Sequence, residues 1–288
     1  MRPDNKPKIS IITPCYNAEK YIAKAMDSVI ASTFTDWEYV IVDDGSTDNS
    51  AKIISDYAKK EPRLRLIQQP NRGVCNARNN GFKACSPESE YLMFFDADDC
   101  IEPQMLEIMI KHLDQHPHVG LFYTDEWLID SEDKILESLH YPRFVPSPGG
   151  GFEEVPDNVL ETPFFSIAFG VCRESGPVLR KSVYSKTSGW SEWLGQGYEG
   201  KDLFMQMALL SNIHFIPNKL SKYRQHNTQS HKSLDDNTQL NKLITKWKQA
   251  EGLTPEQQAK VNQALEYMPA FIEYLHNRDK LYLSSQEG

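Results

Sequence analysis

Three carboxylates follow directly on five large apolar residues: Tyr91-Leu-Met-Phe-Phe95 runs into Asp96-Ala-Asp-Asp99. Acids this crowded repel one another unless a cation sits among them. Hard divalent ions such as Mg²⁺ take carboxylate oxygens and complete their shells with water and substrate phosphate. The apolar run has the character of a strand buried on both faces. In open α/β sheets, ligands collect beyond the carboxyl ends of such strands. The segment therefore reads as a metal-binding corner, with a solvated acidic turn as the plainer alternative.

A corner of this kind needs strands to hold it, and the chain supplies them in order. Ile9 to Thr13 is an apolar strand that Pro14 stops, and Asn17 is placed to cap a helix whose apolar residues (Tyr21, Ile22, Ala25, Met26, Val29, Ile30) follow helical spacing. Tyr39 to Val42 is a second strand, ending in Asp43-Asp44-Gly-Ser-Thr-Asp48, and a helix with Ile53, Ile54 and Tyr57 on one face follows. Leu64 to Ile67 is a third strand, after which Asn71-Arg-Gly-Val-Cys-Asn-Ala-Arg-Asn-Asn-Gly81 opens a third helix. The aspartate strand is the fourth, Pro103 starts a helix with Met105, Leu106, Met109 and Leu113, and Val119 to Tyr123 is a fifth strand. Regular alternation of strand and helix implies right-handed crossovers and an α/β fold with a mostly parallel sheet and flanking helices.

Past residue 124 the alternation fails. Residues 141–163, rich in proline and holding Gly149-Gly-Gly151, read as a long loop. Beyond it lie Val178-Leu179 with Arg180-Lys181, a helix near Leu203 to Leu210, and strand-like pieces at Ile213–Ile216 and Leu220–Arg224. From about 236 the chain turns polar and helical, with Pro255 opening one helix.

Composition narrows the classes. The net charge of -9 argues against non-specific binding to nucleic acid or to an anionic membrane. The five cysteines form no CxxC pair, which gives no sign of a zinc site and suits a reducing compartment. The polar start Met-Arg-Pro-Asp-Asn-Lys-Pro has no apolar core of a signal peptide, and no run approaches a membrane span. The expectation is a soluble, intracellular, cytoplasmic protein, with peripheral association at the inner face of the membrane as a second reading.

Three strand ends meet on one rim: Pro14-Cys-Tyr-Asn17, Asp43-Asp44-Gly45 and Asp96-Ala-Asp-Asp99. A nucleotide would find there a ring to stack on (Tyr16), a carboxylate to accept a base N–H (Asp44) and an acid for the metal of its diphosphate (Asp98). Arg78 could add charge-assisted bonds to phosphate or ribose. Taken singly, Asp44 is a turn residue or helix cap and Arg78 a surface pair. Together at successive strand ends they are hard to explain as solvated loops.

These motifs carry a resemblance. Ile11-Ile-Thr-Pro-Cys-Tyr-Asn17, Val40-Ile-Val-Asp-Asp-Gly-Ser-Thr-Asp48, Asn71-Arg-Gly-Val-Cys-Asn-Ala-Arg-Asn79 and Phe94-Phe-Asp-Ala-Asp-Asp99 resemble the family 2 glycosyltransferases of the GT-A fold, the inverting family of bacterial polysaccharide and lipopolysaccharide synthases. Val178-Leu-Arg-Lys181, Glu199-Gly-Lys-Asp-Leu-Phe204 and Tyr223-Arg-Gln-His226 extend the likeness over roughly residues 8–230. It implies a GT-A domain over 1–235, with a nucleotide-sugar half to about 125 and an acceptor half from about 126, and then a helical tail over 236–288. It implies a metal-dependent glycosyltransferase, of hexosyl or N-acetylhexosaminyl type. The sugar would move with inversion from a nucleotide donor, favoured as UDP, to a hydroxyl of a glycan or lipid-linked acceptor. By position, Pro14, Tyr16, Asp44, Arg78, Asp96 and Ala97 would bind the nucleotide, Asp96 near the ribose. Asp98 would ligate Mg²⁺ or Mn²⁺, with His226 near the metal or diphosphate. No nucleic acid is implied.

One departure stands out. The family commonly has Glu-Asp-x-Asp before the Leu-Phe pair, its first Asp being the catalytic base, whereas this chain has Glu199-Gly200-Lys201-Asp202. Glycine cannot take a proton. Either Glu199 swings in, helped by Gly195, Gly197 and Gly200, or Asp202 serves, or activity is impaired. The last case leaves a non-catalytic nucleotide-sugar binder as the alternative function, and the alternative role for Glu199 is only to orient Lys201 or the backbone. Trp190 and Trp193 either stack on a sugar or simply pack. His231 is a weaker candidate than His226. The tail has three readings, as a homodimer contact, a cover for the acceptor site, or a membrane dock; the last is least supported because the tail lacks a basic apolar face.

Overall fold

Parallel strands β1 (Ile9–Cys15), β2 (Trp37–Asp43), β3 (Leu64–Gln68) and β4 (Tyr91–Phe94) lie in the order β3-β2-β1-β4. Their crossovers are helices α1 (Ile22–Ile30), α2 (Ser50–Ala58) and α3 (Val74–Ala84). The chain steps outward from β1 to β3 and then returns to lay β4 on the other side of β1. The gap between β1 and β4 is therefore the point at which strand order reverses, where α/β sheets bind ligands. This computed structural model describes residues 6–140, 142–148, 151–168, 172–194, 198–227, 236–268 and 270.

Both faces of these strands are covered, which is why they read as unbroken apolar runs. Ile9, Ile11, Tyr39, Ile41 and Met93 pack with α1 and with α4 (Met105–Gln115). Ile12, Val40, Val42, Leu92 and Phe94 pack on the other side with α3 and α7 (Glu199–Leu210). Beyond β4 the sheet is mixed. β10 (Val178–Arg180) runs antiparallel between β4 and β6 (Val119–Ile129), and β11 (Asn212–Arg224) is parallel to β6. β5 (Cys100–Ile101) and β7 (Ile135–Leu139) add antiparallel edges. The two expected pieces at 213–224 are one strand with shifted register between Ile216 and Ser221.

Several local expectations are corrected. Pro14 does not stop β1, which pairs with β2 as far as Cys15. Pairing with β4 ends at Ile12–Phe94, so on that side Pro14 faces no strand that needs its missing N–H. Asn17 does not cap α1, which begins at Ile22 without a side-chain cap. The stretch 141–163 is not simply a loop: β8 (Arg143–Pro146) and β9 (Phe152–Val155) form a hairpin within it. Buried Arg143 ties that hairpin down by donating to the carbonyls of Pro156, Val159 and Glu161. α8 (Asp236–Lys248) and α9 (255–268) place Leu243, Trp247, Val261 and Ala264 against Ala168, Leu194, Tyr198 and Met205. Among the described residues, no helix is long and apolar enough to cross a membrane.

α3 approaches the sheet most closely at Gly81, where an added Cβ would lie 2.4 Å from Ile12 Cγ2 and 3.3 Å from Val42 Cγ2. A Gly-to-Ala change in a helix interior gains up to about 1 kcal/mol of helix propensity. Here it meets a stiff β-branched side chain in a central strand, and overpacking of that kind costs about 1–3 kcal/mol. Gly81→Ala is therefore expected to lower the urea midpoint with an unchanged slope, and a raised midpoint would show that α3 can shift outward.

Candidate functional site

Parallel pairing brings the ends of β1, β2 and β4 to one edge, with Cys15 level with Asp43 and Ile12 level with Phe94. Tyr16, the first residue past β1, is 52% exposed, a large ring presented to solvent. Asn17 follows in the left-handed region (φ 50°), which an Asn tolerates better than most residues. Its Oδ1 accepts the Thr47 N–H at 2.8 Å and its own N–H donates to Ser46 Oγ at 3.0 Å. The loop after β2 is thus clamped to the loop after β1.

Asp44, expected to read a base, is buried and committed to the backbone. Its carboxylate accepts the N–H groups of Arg72 and Gly73 at 2.9 and 2.8 Å and the Gln69 amide at 2.7 Å. It fixes the turn that enters α3 through Gly73, whose φ of 90° suits a residue without a side chain.

Arg78 is the centre of the site. It sits on α3, only 3% exposed, and is not the surface pair that its type suggested. One nitrogen donates to Asp96 Oδ1 at 2.9 Å and another to Glu199 Oε1 at 3.4 Å. The guanidinium lies over the buried ring of Trp190, 4.2 Å from its centroid, so Trp190 packs rather than waits for a sugar. Trp193, by contrast, is half exposed. Burial would push the Arg78 guanidinium down, but the carboxylates of Asp96, Glu199 and Glu174 outweigh it and push it up. The group is a permanent cation.

The three aspartates after β4 diverge, contrary to the expectation that they crowd around one ion. Asp96 turns to Arg78. Asp98 Oδ2 meets His226 Nε2 at 2.9 Å. Asp99 is buried, accepts the Arg224 N–H at 3.0 Å and lies 3.7 Å from Arg173; burial pushes its carboxyl up while Arg173 opposes. Ala97 between them is buried in the core beneath α1. His226 packs on Tyr21, ring centroids 4.6 Å apart, and Arg224 donates to the Asp98 carbonyl at 2.7 Å. Among the described residues no group of three or more His, Cys, Asp or Glu side chains is set to enclose a metal. The donors that do meet, one carboxylate and one imidazole, fit a divalent ion that fills its shell with water and phosphate oxygens.

The two residues expected to act as base are both engaged. Glu199 is the first residue of α7, buried against Arg78. Asp202 has no exposure at all, and its oxygens accept from Ser191, Gln206, Lys246 and Trp247. A carboxylate caged in this way is unsuited to take a proton from a substrate. The assignment of Asp202 as base is corrected on that ground: it is the anchor of α8. Gly195, Gly197 and His231 lie outside the described residues.

Sequence reasoning missed Glu174. It stands on the segment between α5 (Phe164–Ala168) and β10, half-buried, with its carboxylate against Gly200. A Cβ on Gly200 would lie 2.2 Å from Glu174 Oε1, 2.4 Å from its Cγ and 2.6 Å from its Cδ. Nothing around Glu174 in the sequence signals this; the one available clue was the missing side chain at 200. The site as a whole offers an exposed ring, two backbone turns, a buried cation and an Asp–His pair, which is chemistry for an anionic, aromatic-headed ligand and a metal.

The comparisons with known proteins follow this geometry. The family described as "Glycosyl transferase family 2" matches residues 10–164. An uncharacterised glycosyltransferase of Nostoc sp., alr2836, is 30% identical over 273 residues, covering 92% of this chain and 74% of that protein. The uncharacterised glycosyltransferase EpsJ of Bacillus subtilis is 39% identical over 110 residues, 38% of this chain and 31% of EpsJ. A chondroitin synthase of Escherichia coli is 33% identical over 132 residues, 46% of this chain and 19% of the synthase. The chain thus aligns with less than a third of either of the last two. Among solved structures, S. aureus TarS 1-349 in complex with UDP-GlcNAc superposes with a TM-score of 0.64 at 21% identity, covering 90% of this chain and 70% of that one.

The Asp202 cage carries a prediction about the tail. Asp202→Ala leaves Lys246 and the buried Trp247 N–H without their acceptor, a loss of about 2–4 kcal/mol by analogy with broken buried pairs. The expected result is a lower urea midpoint and faster proteolysis within residues 236–268. Unchanged protease resistance there would show that the apolar contacts alone hold the tail.

Proposed function

The chain belongs to glycosyl transferase family 2 and has the GT-A fold, and we propose that it moves a hexosyl or N-acetylhexosaminyl group from a UDP-sugar, with inversion, to a hydroxyl of a glycan or lipid-linked acceptor. The observation that carries the donor half of this proposal is the Asp98–His226 pair beside the buried Arg78–Asp96 pair at the β1/β4 switch point. Uracil would stack on Tyr16, next to Pro14. The turn that Asp44 fixes at Arg72–Gly73 would lie beneath it, and Asp96 and Ala97 would line the path to the ribose. The complexes of TarS with UDP and UDP-GlcNAc support a uridine donor by likeness of fold.

Asp98 and His226 would hold Mn²⁺ or Mg²⁺. When bound, such an ion offsets the charge that develops on the departing diphosphate. The residues of the chain prepare for it. Tyr21 and Arg224 fix the imidazole and the aspartate backbone, so the pair needs little reordering. We take residues up to 235 as the transferase domain and the later helices as its appendage, anchored through Asp202.

Calorimetric titration with UDP, with and without Mn²⁺, tests the donor site. Binding is expected only with the ion, and Asp98→Ala should weaken it at least tenfold while leaving the thermal midpoint within a few degrees. Silence toward UDP, GDP and dTDP alike would overturn the donor assignment.

A further inference from the structure

We propose that Glu174 is the general base of the transfer, its carboxylate reaching across the space that the absent side chain of Gly200 leaves open. This inference rests on the inverting reaction proposed above, which needs a carboxylate to receive the acceptor hydroxyl's proton on the face away from the diphosphate.

A base must have a lone pair to spare, and the acidic side chains around the site can be sorted by that requirement. Asp44 is spent on Arg72, Gly73 and Gln69. Asp96 and Glu199 face Arg78, and Asp98 faces His226. Asp99 is buried against the Arg224 N–H, and Glu192 accepts from Asn76 and Asn79. Asp202 holds four donors. Glu174 adds to the negative charge around Arg78 as Asp96 and Glu199 do, but it differs in its bonds: among the described residues no donor is hydrogen-bonded to its carboxylate. It is also only partly buried.

Its placement is fixed by the backbone on both sides of the contact. The N–H of Asp96 donates to Ser175 Oγ at 3.0 Å, and the N–H of Gly176 donates to the Phe94 carbonyl at 3.0 Å. Gly176 turns there with φ 98°, a conformation that a side chain would disfavour. The segment is thereby stitched to the end of β4, one residue from the Asp96–Arg78 pair. On the other side, Gly200 lies in the first turn of α7, which Glu199 ties to Arg78.

The Glu174 carboxylate fills the space that a side chain at 200 would enter. By standard bond lengths, an aspartate's carboxylate oxygens lie roughly 2.4 Å from its own Cβ. Glu174 Oε1 lies 2.2 Å from where a Cβ at 200 would be. The glutamate therefore delivers an oxygen about as far from that point as an aspartate at 200 would, though from another element. Any side chain at 200 would expel it. Gly200 is the condition for Glu174 to be there.

In the step itself, a lone pair of the acceptor oxygen forms the bond to the anomeric carbon as that carbon's bond to the β-phosphate oxygen breaks, and the bonding pair leaves with UDP. The hydroxyl proton passes to Glu174 and is released to solvent once the products depart.

The experiment compares wild type, Glu174→Gln and the double variant Glu174→Ala/Gly200→Asp. UDP binding is measured by calorimetry with Mn²⁺. Turnover is measured as UDP released from UDP-hexoses and UDP-N-acetylhexosamines with water as acceptor. The proposal expects equal UDP binding in all three, a loss of release of about 100-fold or more in Glu174→Gln, and recovery to within about tenfold of wild type in the double variant. Release by Glu174→Gln within about threefold of wild type overturns it. So does loss of UDP binding in that variant, which would mark a structural role, or failure of the double variant to recover with its UDP binding intact. Wild type that binds UDP but frees none from any donor also overturns it, because a competent base beside bound donor activates water at least slowly. Wild type that binds no UDP defeats the donor assignment instead, and is told apart by the calorimetry alone.

Discussion

A buried guanidinium governs this site. Arg78 is almost wholly removed from water, and an unpaired charge so placed would destabilise the fold by several kcal/mol. It is tolerated because Asp96 and Glu199 bond to it and Glu174 stands nearby. Those partners come from three separate places: the end of β4, the start of α7 and the segment leading to β10. α3 contributes the arginine and Trp190 the ring that it covers. A single charge requirement thus fixes the relative positions of elements more than a hundred residues apart in sequence. Satisfying it assembles the rim on which the donor is proposed to bind.

The first half of the fold was legible because its signals are local and redundant. Apolar runs such as Tyr39–Val42 and Leu64–Ile67 mark strands buried on both faces, and helical spacing marks what connects them. The polar tips at 14–17, 43–45 and 96–99 then fall on one edge by topology alone. The second half was less legible. β10 is three residues long, and the hairpin at 143–155 depends on Arg143 reaching carbonyls up to 18 residues away. No window of sequence shows that. Even in the first half, single residues took other partners than their types suggested. Asn17 clamps a neighbouring loop instead of capping α1, and Asp44 secures a turn.

The site was legible in its types and less so in its pairings. Asp96 meets Arg78 and Asp98 meets His226, as two separate hydrogen-bonded pairs and not as a three-acid nest. Sequence gives spacing along the chain, whereas carboxylate direction after a strand end is decided by whichever donors other elements bring. Here Arg78, His226 and the Arg173–Arg224 side each claim one aspartate.

The acidic residues nearest Gly200 in sequence are poor candidates for the proposed base. A helix first turn favours acidic side chains, and α7 places Glu199 and Asp202 there. Both face inward and both meet strong donors, one Arg78 and the other the Lys246–Trp247 pair of α8. Each contact occupies the carboxylate oxygens that an acceptor hydroxyl would have to approach. A carboxylate near the site without a hydrogen-bond donor of its own keeps its oxygens open to a substrate hydroxyl. Glycine at 200 makes room for such a group from the segment before β10, and leaves Asp202 to bind the tail.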